Sequence, residues 1–198
     1  NADRVLTSKG TATRQRIVEG AAALIRDRGA ANVSLDDIRA ATSTSKSQLF
    51  HYFPDGKSDL LLAVARYEAD QILAEQQPML GDLTTWPQWQ AWRQRVIERY
   101  EAQGRHCPLA ALTSQLGLAD PATQAVVTDL YDRWLGYLVA GIEALIAAGE
   151  IDGRTNPADC GRAIIAAVTG GATLLVATGS IRYLESSLTE ALNSVHQR

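Results

Sequence analysis

Apolar residues recur along this chain at intervals of three and four residues, the spacing that places side chains on one face of an α-helix. Residues 11–28 give the clearest early case. Their apolar face consists of Ile17, Ala21, Leu24 and Ile25. No run of alternating β-branched residues is convincing as a strand. The pattern therefore predicts an all-α fold.

Glycines, prolines and capping residues divide this pattern into about nine predicted helices. They cover residues 11–28, 34–42, 45–53, 57–77, 86–103, a short stretch after Pro108, and residues 121–148, 157–178 and 182–196. The turn-forming residues 54–56 mark the best domain boundary. We therefore predict a head of residues 1–56 and a body of residues 57–198, with the fourth helix packing on both.

The net charge of −3 conceals an asymmetry between these two parts. Residues 1–57 contain nine Lys and Arg against six Asp and Glu, and they include all three lysines of the chain. Residues 58–198 contain ten Lys and Arg against sixteen Asp and Glu. A basic head on an acidic body favours an anionic partner for the head alone.

Two short predicted helices in the head are joined by a turn of three or four residues, which is the arrangement of a helix-turn-helix. Ser34 is placed to cap the first of them, and Ser45 with Gln48 forms a capping box at the start of the second. The chain from Ile38 to Pro54 contains no Asp or Glu. Such a stretch suits contact with phosphates, although a solvated polar turn between two core helices is the alternative.

The capped start of the second short helix should point its first side chains outward. Lys46, Ser47 and Gln48 are hydrogen-bonding side chains that can reach base edges in a major groove. We expect Phe50 and Phe53 to fill the core beneath the helix. On its other side, His51 and Tyr52 can meet phosphate, and Lys57 strengthens an anion site at the start of the next helix.

Residues 9–64 resemble the head of the TetR family of one-component transcriptional repressors. The matching residues are TRQRIVEGAAALIRDRGAANVSLDDIRAATSTSKSQLFHYF, followed by Lys57 and DLLLAV. The later HYFPDGK and CPLAAL segments resemble the LmrA/YxaF-like branch of that family. Two residues depart from the usual pattern: Ser43 stands where the family commonly has a turn glycine, and Thr44 where it often has valine. The FPDGK junction is also one residue longer than the commonest form.

The resemblance implies a set of DNA contacts for this chain. Base contacts would come from Lys46, Ser47 and Gln48, with Thr44 at their edge. Phosphate contacts would come from His51, Tyr52 and Lys57, with help from Ser34 and Arg39. The resemblance also implies a variable ligand pocket in the body and a homodimer through the last two helices, the eighth and ninth.

The body contains aromatic residues that are candidates for such a pocket. The predicted ligand-binding residues are Tyr67, Trp89, Trp92, Tyr100, Cys107, Trp134 and Tyr137. As a set they would line an apolar cavity with a few polar groups. For any one of them, ordinary core packing is the alternative. Cys107 beside His106 also suggests a catalytic or redox-sensing role. Residues that are neighbours in a loop rarely have the geometry that catalysis requires, which argues against the catalytic role.

The sequence indicates no cofactor and no metal, since its two cysteines and three histidines lack metal-ligand spacing.

The segment from Ala163 to Ile181 carries no charge, and its length of 19 residues is close to that of a membrane-spanning helix. Its glycines and threonines favour a helix buried in a core or between subunits, and hence no membrane association. With no leader segment visible, we expect a cytoplasmic location.

Together these features predict a dimeric, ligand-responsive repressor. It would bind a palindromic DNA operator and be released by a small, apolar or aromatic effector. One alternative comes from another class: a helical enzyme whose basic head binds an anionic substrate. A second alternative is a DNA-binding protein without an effector. The first requires an acid–base or metal constellation that the scattered histidines do not supply, and we predict that the chain is not an enzyme.

Overall fold

The computed structural model describes residues 7–116 and 120–197, and helices make up the regular structure of that part of the chain. The outer ends of the two predicted domains, at residues 1 and 198, lie outside the described residues. The helices are α1 (Ser8–Arg28), α2 (Leu35–Ala41), α3 (Lys46–Tyr52), α4 (Lys57–Ala74), α5 (Trp86–Gln103), α6 (Pro108–Ala111), α7 (Pro121–Ala147), α8 (Pro157–Thr178) and α9 (Arg182–His196).

The predicted all-α fold and the order of its helices are confirmed. Two boundaries differ from the sequence-based expectation. The first helix begins earlier, at Ser8, because the Thr7 side chain accepts a hydrogen bond from the Gly10 N–H at 3.2 Å and caps it there. The fourth helix ends at Ala74, ahead of the proline expected to stop it. Beyond the four-residue α6, residues Leu112–Leu116 form a π-helical turn.

Helices α1 to α3 form a small head around a buried apolar cluster. Helix α1 packs against both α2 and α4. The buried residues of the head include Ile17, Ile25, Ile38, Leu49 and Phe53. Both short helices begin with a complete capping box, at Ser34 and at Ser45. These caps satisfy backbone N–H groups that helices of seven residues would otherwise leave exposed.

Helix α4 belongs to both parts of the molecule, as expected from the sequence. It packs against α1 in the head and against α6 and α7 in the body. Eight of its 18 residues are buried. The division of the chain at residues 56 and 57 stays a prediction, because α4 starts at Lys57 and is shared by the two parts.

The body is a layered helical bundle in which α7 packs on α8 and α8 packs on α9. The apolar stripe of α9, formed by Leu184, Leu188, Leu192 and Val195, is buried within the subunit. Helix α8 is the one helix in the described part of the chain that is long and apolar enough to span a membrane, a test that core helices of soluble proteins also pass. Only 39% of its most apolar window is buried, so much of that surface faces outward.

The crossing of α8 and α9 depends on a glycine. A Cβ atom on Gly171 would lie 2.5 Å from the Leu184 Cα, a backbone atom that cannot move away without shifting α9. Gly136, in the middle of α7, is an exposed glycine whose Cβ would meet nothing within 4 Å. The two positions therefore make a matched pair in which the same substitution has opposite consequences.

We expect Gly171→Ala to destabilise the fold by about 1–3 kcal/mol, because the added methyl group overpacks the α8–α9 contact. Gly136→Ala should instead be neutral or raise stability by up to about 1 kcal/mol, the gain in helix propensity. Chemical denaturation of the two variants beside the unmodified protein measures both effects. Equal stability of the two variants would contradict this account of the crossing.

Candidate DNA-binding surface and effector cleft

The turn between α2 and α3 is held by a buried hydroxyl network. Thr42 and Thr44 are each 5% exposed. The Thr42 hydroxyl donates to the Ile38 carbonyl at 2.7 Å and lies 2.8 Å from the Thr44 hydroxyl. Between them, Ser43 adopts a φ of 48°, the left-handed region that glycine enters most easily. The turn thus keeps a glycine-like backbone although a serine stands there.

This turn is seated directly on α1. A Cβ atom on Gly20 would lie 2.3 Å from the methyl carbon of Thr42, so only a glycine allows this approach. The contact fixes the distance between α1 and the turn, and through the turn it fixes where α3 begins. The placement of α3 therefore depends on α1 as well as on its own cap.

The first turn of α3 is the exposed part of the helix-turn-helix. Lys46, Ser47 and Gln48 are all exposed, as the sequence predicted. The Gln48 Oε1 accepts from the Ser45 N–H at 3.2 Å, and the Gln48 N–H donates to the Ser45 hydroxyl at 3.1 Å. Gln48 therefore helps to cap the helix through its amide oxygen, which leaves its amide N–H groups as the donors for a base.

The structure corrects two expectations for this helix. Thr44, predicted at the edge of the base contacts, is buried and its hydroxyl bonds within the turn, so it positions α3 rather than facing outward. Phe50, predicted in the core, is 40% exposed, whereas Leu49 and Phe53 fill the core. Sequence reasoning missed Phe50 as a surface residue because aromatics are usually assigned inside.

The predicted phosphate-contacting residues lie around this surface. His51 is exposed and packs edge-on against the half-buried Tyr52, with ring centroids 4.9 Å apart. The Lys57 ammonium donates to the Ala30 carbonyl at 3.0 Å, which ties the start of α4 to the loop after α1. That bond uses one of its three N–H donors, so two remain for phosphate.

Ser34 and Arg39 both have partners inside the head. The Ser34 hydroxyl donates to Asp37 Oδ2 at 2.5 Å and holds the pKa of that carboxyl below its ordinary value, together with the Ser34 backbone N–H. The Arg39 guanidinium pairs with Asp36 at 2.6 Å, and its Nε is a buried donor with no partner among the described residues. Contact of either residue with DNA stays a prediction.

We expect Gly20→Ala to weaken DNA binding, because the new methyl group would push the turn off α1 and displace α3. Thr42→Ser removes the methyl carbon in question and keeps the hydroxyl that holds the turn. The double variant should therefore recover much of the lost binding. Titration of DNA into each protein measures this, and a double variant as weak as Gly20→Ala would contradict the proposed contact.

The predicted pocket residues of the body do not line one cavity. Trp89 and Trp92 fill the core, with their indole N–H groups donating to the Leu83 carbonyl at 3.0 Å and to Gln76 Oε1 at 3.1 Å. Trp134 is also fully buried, and its indole N–H has no hydrogen-bond partner among the described residues. The internal bonds of Trp89 and Trp92 favour the core-packing interpretation for these two side chains.

Tyr67, Tyr100 and Tyr137 line three different clefts, and Cys107 lies close enough to Tyr100 to contribute to its raised pKa. Tyr100 is buried, and that burial raises its pKa well above the ordinary value. Tyr137 is 40% exposed and lines an outer groove between α4 and α7. Tyr67 lines a different cleft, of about 280 Å³, where α1, α4, α5 and α6 meet. Most of the side chains around that cleft are polar, unlike the apolar cavity expected from the sequence.

Cys107 lacks the features of a reactive thiol. It is 1% exposed, and burial raises its pKa to about 11, so the thiolate is disfavoured near neutral pH. His106 beside it is exposed. Within the described ranges there is no group of three or more His, Cys, Asp and Glu residues that could hold a metal ion.

Sequence reasoning missed the charged residues of the cleft. Glu68 is 1% exposed and forms an ion pair with Arg26 of α1 at 2.5 Å, while Glu75 pairs with Arg99. Burial raises the pKa of Glu68, against the lowering effect of Arg26. One signal was available: Glu68 interrupts the apolar stripe of α4, between Val64 and Ile72.

Comparison with known proteins agrees with this architecture. Residues 17–64 match the family of bacterial regulatory proteins named tetR, and residues 88–191 match the tetracyclin repressor-like C-terminal domain. An uncharacterised HTH-type transcriptional regulator of Mycobacterium tuberculosis is 28% identical over 61% of this chain, which spans 64% of that relative's length. A Lactococcus lactis HTH-type regulator is 26% identical over 88% of this chain and 89% of its own.

Solved structures show the same fold. A TetR transcriptional regulator from Chloroflexus aurantiacus J-10-FL superposes with a TM-score of 0.82 at 24% identity, covering 97% of this chain and 98% of the other. A TetR-family regulator from Cytophaga hutchinsonii gives 0.79 at 22% identity, over 98% and 100% of the two chains. At such identities the likeness concerns the fold alone.

The two family matches and the exposed helix-turn-helix place this chain among DNA-binding transcriptional regulators rather than enzymes. The chain belongs to the TetR family. Its assignment to the LmrA/YxaF-like branch stays a prediction.

Proposed function

We propose that this regulator is a homodimeric repressor that binds a palindromic operator and leaves it when a small molecule binds the body. The observation that carries the proposal is the first turn of α3, which exposes Lys46, Ser47 and Gln48 on a capped helix within an acid-free stretch. In the major groove, these side chains would meet base edges while the head's other cations meet phosphate. Two heads in successive grooves would lie about 34–36 Å apart.

Phe50 joins the proposed contact surface because of its exposure. An aromatic ring cannot donate to a base edge, but it can pack against the methyl group of a thymine. His51 and Tyr52, with Lys57, supply the proposed phosphate contacts. Thr44 is left out of the surface because it is buried.

We expect Lys46→Ala to weaken binding to the protein's own upstream DNA by about 1–3 kcal/mol for each half-site, because a base contact in the major groove is lost. Arg154→Ala is the matched control, since its side chain is 92% exposed in the body, between α7 and α8. That variant should bind like the unmodified protein. Equal effects of the two substitutions in a DNA titration at fixed salt concentration would argue against α3 as the DNA contact.

The outer face of α8 supports a homodimer through α8 and α9. Small and apolar side chains of α8 border a groove of about 650 Å³, with Tyr183 of α9 on its other side. Leu174 is 42% exposed and Tyr183 is 50% exposed. Because the stripe of α9 that includes Leu188 is buried inside the subunit, the proposed contact is this groove and not that stripe. A second subunit covering it would remove the apolar surface of α8 from water.

We expect Leu174→Asp to convert the dimer to monomer, because a charge buried without a partner is costly. Tyr137→Asp is the control, since Tyr137 is 40% exposed on a different groove of the body. It should leave the dimer intact. Sedimentation velocity at several protein concentrations distinguishes these results, and a Leu174→Asp variant that still sediments as a dimer would place the interface elsewhere.

Release from DNA by an effector is the property that distinguishes the proposed repressor from a DNA-binding protein without an effector. The cleft beside Tyr67 is bounded by α1 of the head as well as by helices of the body. A molecule bound there would contact both parts of the protein, which supports the proposal of an effector site at this position. We propose that the protein acts in the cytoplasm, where its operator would be. Measurement of binding to upstream DNA, with and without candidate compounds, tests the proposal as a whole.

A further inference from the structure

A polar cleft of about 280 Å³ lies at the junction of head and body. Its walls include Arg26 of α1, Tyr67 and Glu68 of α4, and Arg99 and Gln103 of α5. The volume lies just below the range of about 300–1,000 Å³ that is usual for small-molecule sites. An occupant would therefore be small and would meet charged side chains on several sides.

The two carboxylates of the cleft differ in how fully they are bonded. Glu75 Oε2 accepts from Arg99 Nε at 3.0 Å and from Gln103 Nε2 at 2.8 Å, and Glu75 Oε1 accepts from the second guanidinium nitrogen of Arg99. Glu68 accepts from Arg26 at Oε1 only. Its Oε2 is buried and has no hydrogen-bond partner among the described residues. A buried carboxylate oxygen left without a donor carries a large desolvation cost.

We propose that this cleft binds a small organic ammonium ion, whose N–H groups donate to Glu68 Oε2, and that binding loosens the ion pair between Glu68 and Arg26. The proposal rests on the repressor function and names the effector class and its route to the head. Glu68 would then be shared between the guanidinium of α1 and the bound cation. The ion pair that joins α4 to α1 would weaken as the bound cation takes a larger share of the interaction with Glu68.

The charges of the cleft favour a cation over other ligands. An anion would face two carboxylates, and the two arginines that could attract it are already engaged. The other basic side chain on the walls, His106, is exposed to solvent. A neutral hydroxyl could satisfy Glu68 Oε2 but would not compete with Arg26 for the negative charge. Only a ligand that carries positive charge both fills the free acceptor and draws the carboxylate away from α1.

The route from the cleft to the DNA-binding surface is short. Arg26 lies in the last turn of α1, and Gly20 on the same helix is the seat of the turn that positions α3. A shift of α1 relative to α4 therefore moves the turn. The ligand changes DNA affinity only if it binds the loosened arrangement better, which competition for Glu68 provides.

The test uses benzylamine and n-butylamine as probes, with benzyl alcohol and butan-1-ol as their uncharged counterparts. Calorimetry measures binding to the full chain, and a titration with upstream DNA measures the effect on DNA affinity. We expect at least one amine to bind and to lower DNA affinity within the range of about 5- to 150-fold that is typical of coupled sites. The alcohols should do neither. This comparison requires no variant.

Two variants assign the effect to Glu68. Glu68→Gln keeps the size of the side chain and removes its charge, so amine binding should be lost. Asp70→Asn makes the same change on the same helix at an exposed carboxylate, paired with Arg133 outside the cleft, and amine binding should persist. Circular dichroism melting checks that both variants fold. If Glu68→Gln does not fold, the amine and alcohol comparison still decides the question.

Three results would overturn the inference: no amine binds, alcohols bind as well as amines, or a folded Glu68→Gln variant binds amines normally. With DNA binding intact, any of these leaves the repressor proposal standing and removes only its effector class. Failure of the unmodified protein to bind upstream DNA would instead count against the repressor proposal. Amine binding and its dependence on Glu68 would still be decided by calorimetry.

Discussion

The packing of α4 against both parts of the molecule is the constraint on which the rest of the structure depends. Helix α4 contacts α1 on the head side and α6 and α7 on the body side, so neither part can move without it. Most of that packing is apolar and non-directional, formed by residues such as Leu60, Val64 and Ile72. The Arg26–Glu68 ion pair and the hydrogen bond from Lys57 to the Ala30 carbonyl are directional contacts within it. A buried charge pair contributes little net stability but strongly disfavours arrangements that separate its members.

The head shows how a polar surface can be presented by a small domain. The turn before α3 satisfies its own hydroxyl groups and sits on Gly20, and α3 is capped at Ser45. Lys46 and Ser47 are exposed and belong to no buried contact of the core, so their chemistry is free to serve recognition. A recognition surface built on rigid supports loses less entropy on binding than one built on a mobile loop.

In the body, core packing and ligand binding are assigned to different residues, although its aromatic composition would be compatible with one set of residues for both. Trp89 and Trp92 stabilise the core, and their N–H groups are bonded internally. The cleft at the junction with the head is instead bordered by two ion pairs. The apolar outer face of α8 is a third kind of surface, suited to another subunit. The core, the cleft and the outer face therefore differ in the chemistry that each can recognise.

The sequence by itself determined the local features: the order of the helices that the structure describes, most of their boundaries, and the exposed start of α3 in an acid-free stretch. These follow from interactions between residues a few positions apart, which periodicity and capping chemistry report directly. Tertiary structure alone decided that Phe50 is exposed and Thr44 is buried, and that the stripe of α9 packs inside the subunit. It also brought Arg26 to Glu68, 42 positions along the chain. Such contacts depend on how helices dock, and a helical repeat fixes which face is apolar but not which neighbour covers it.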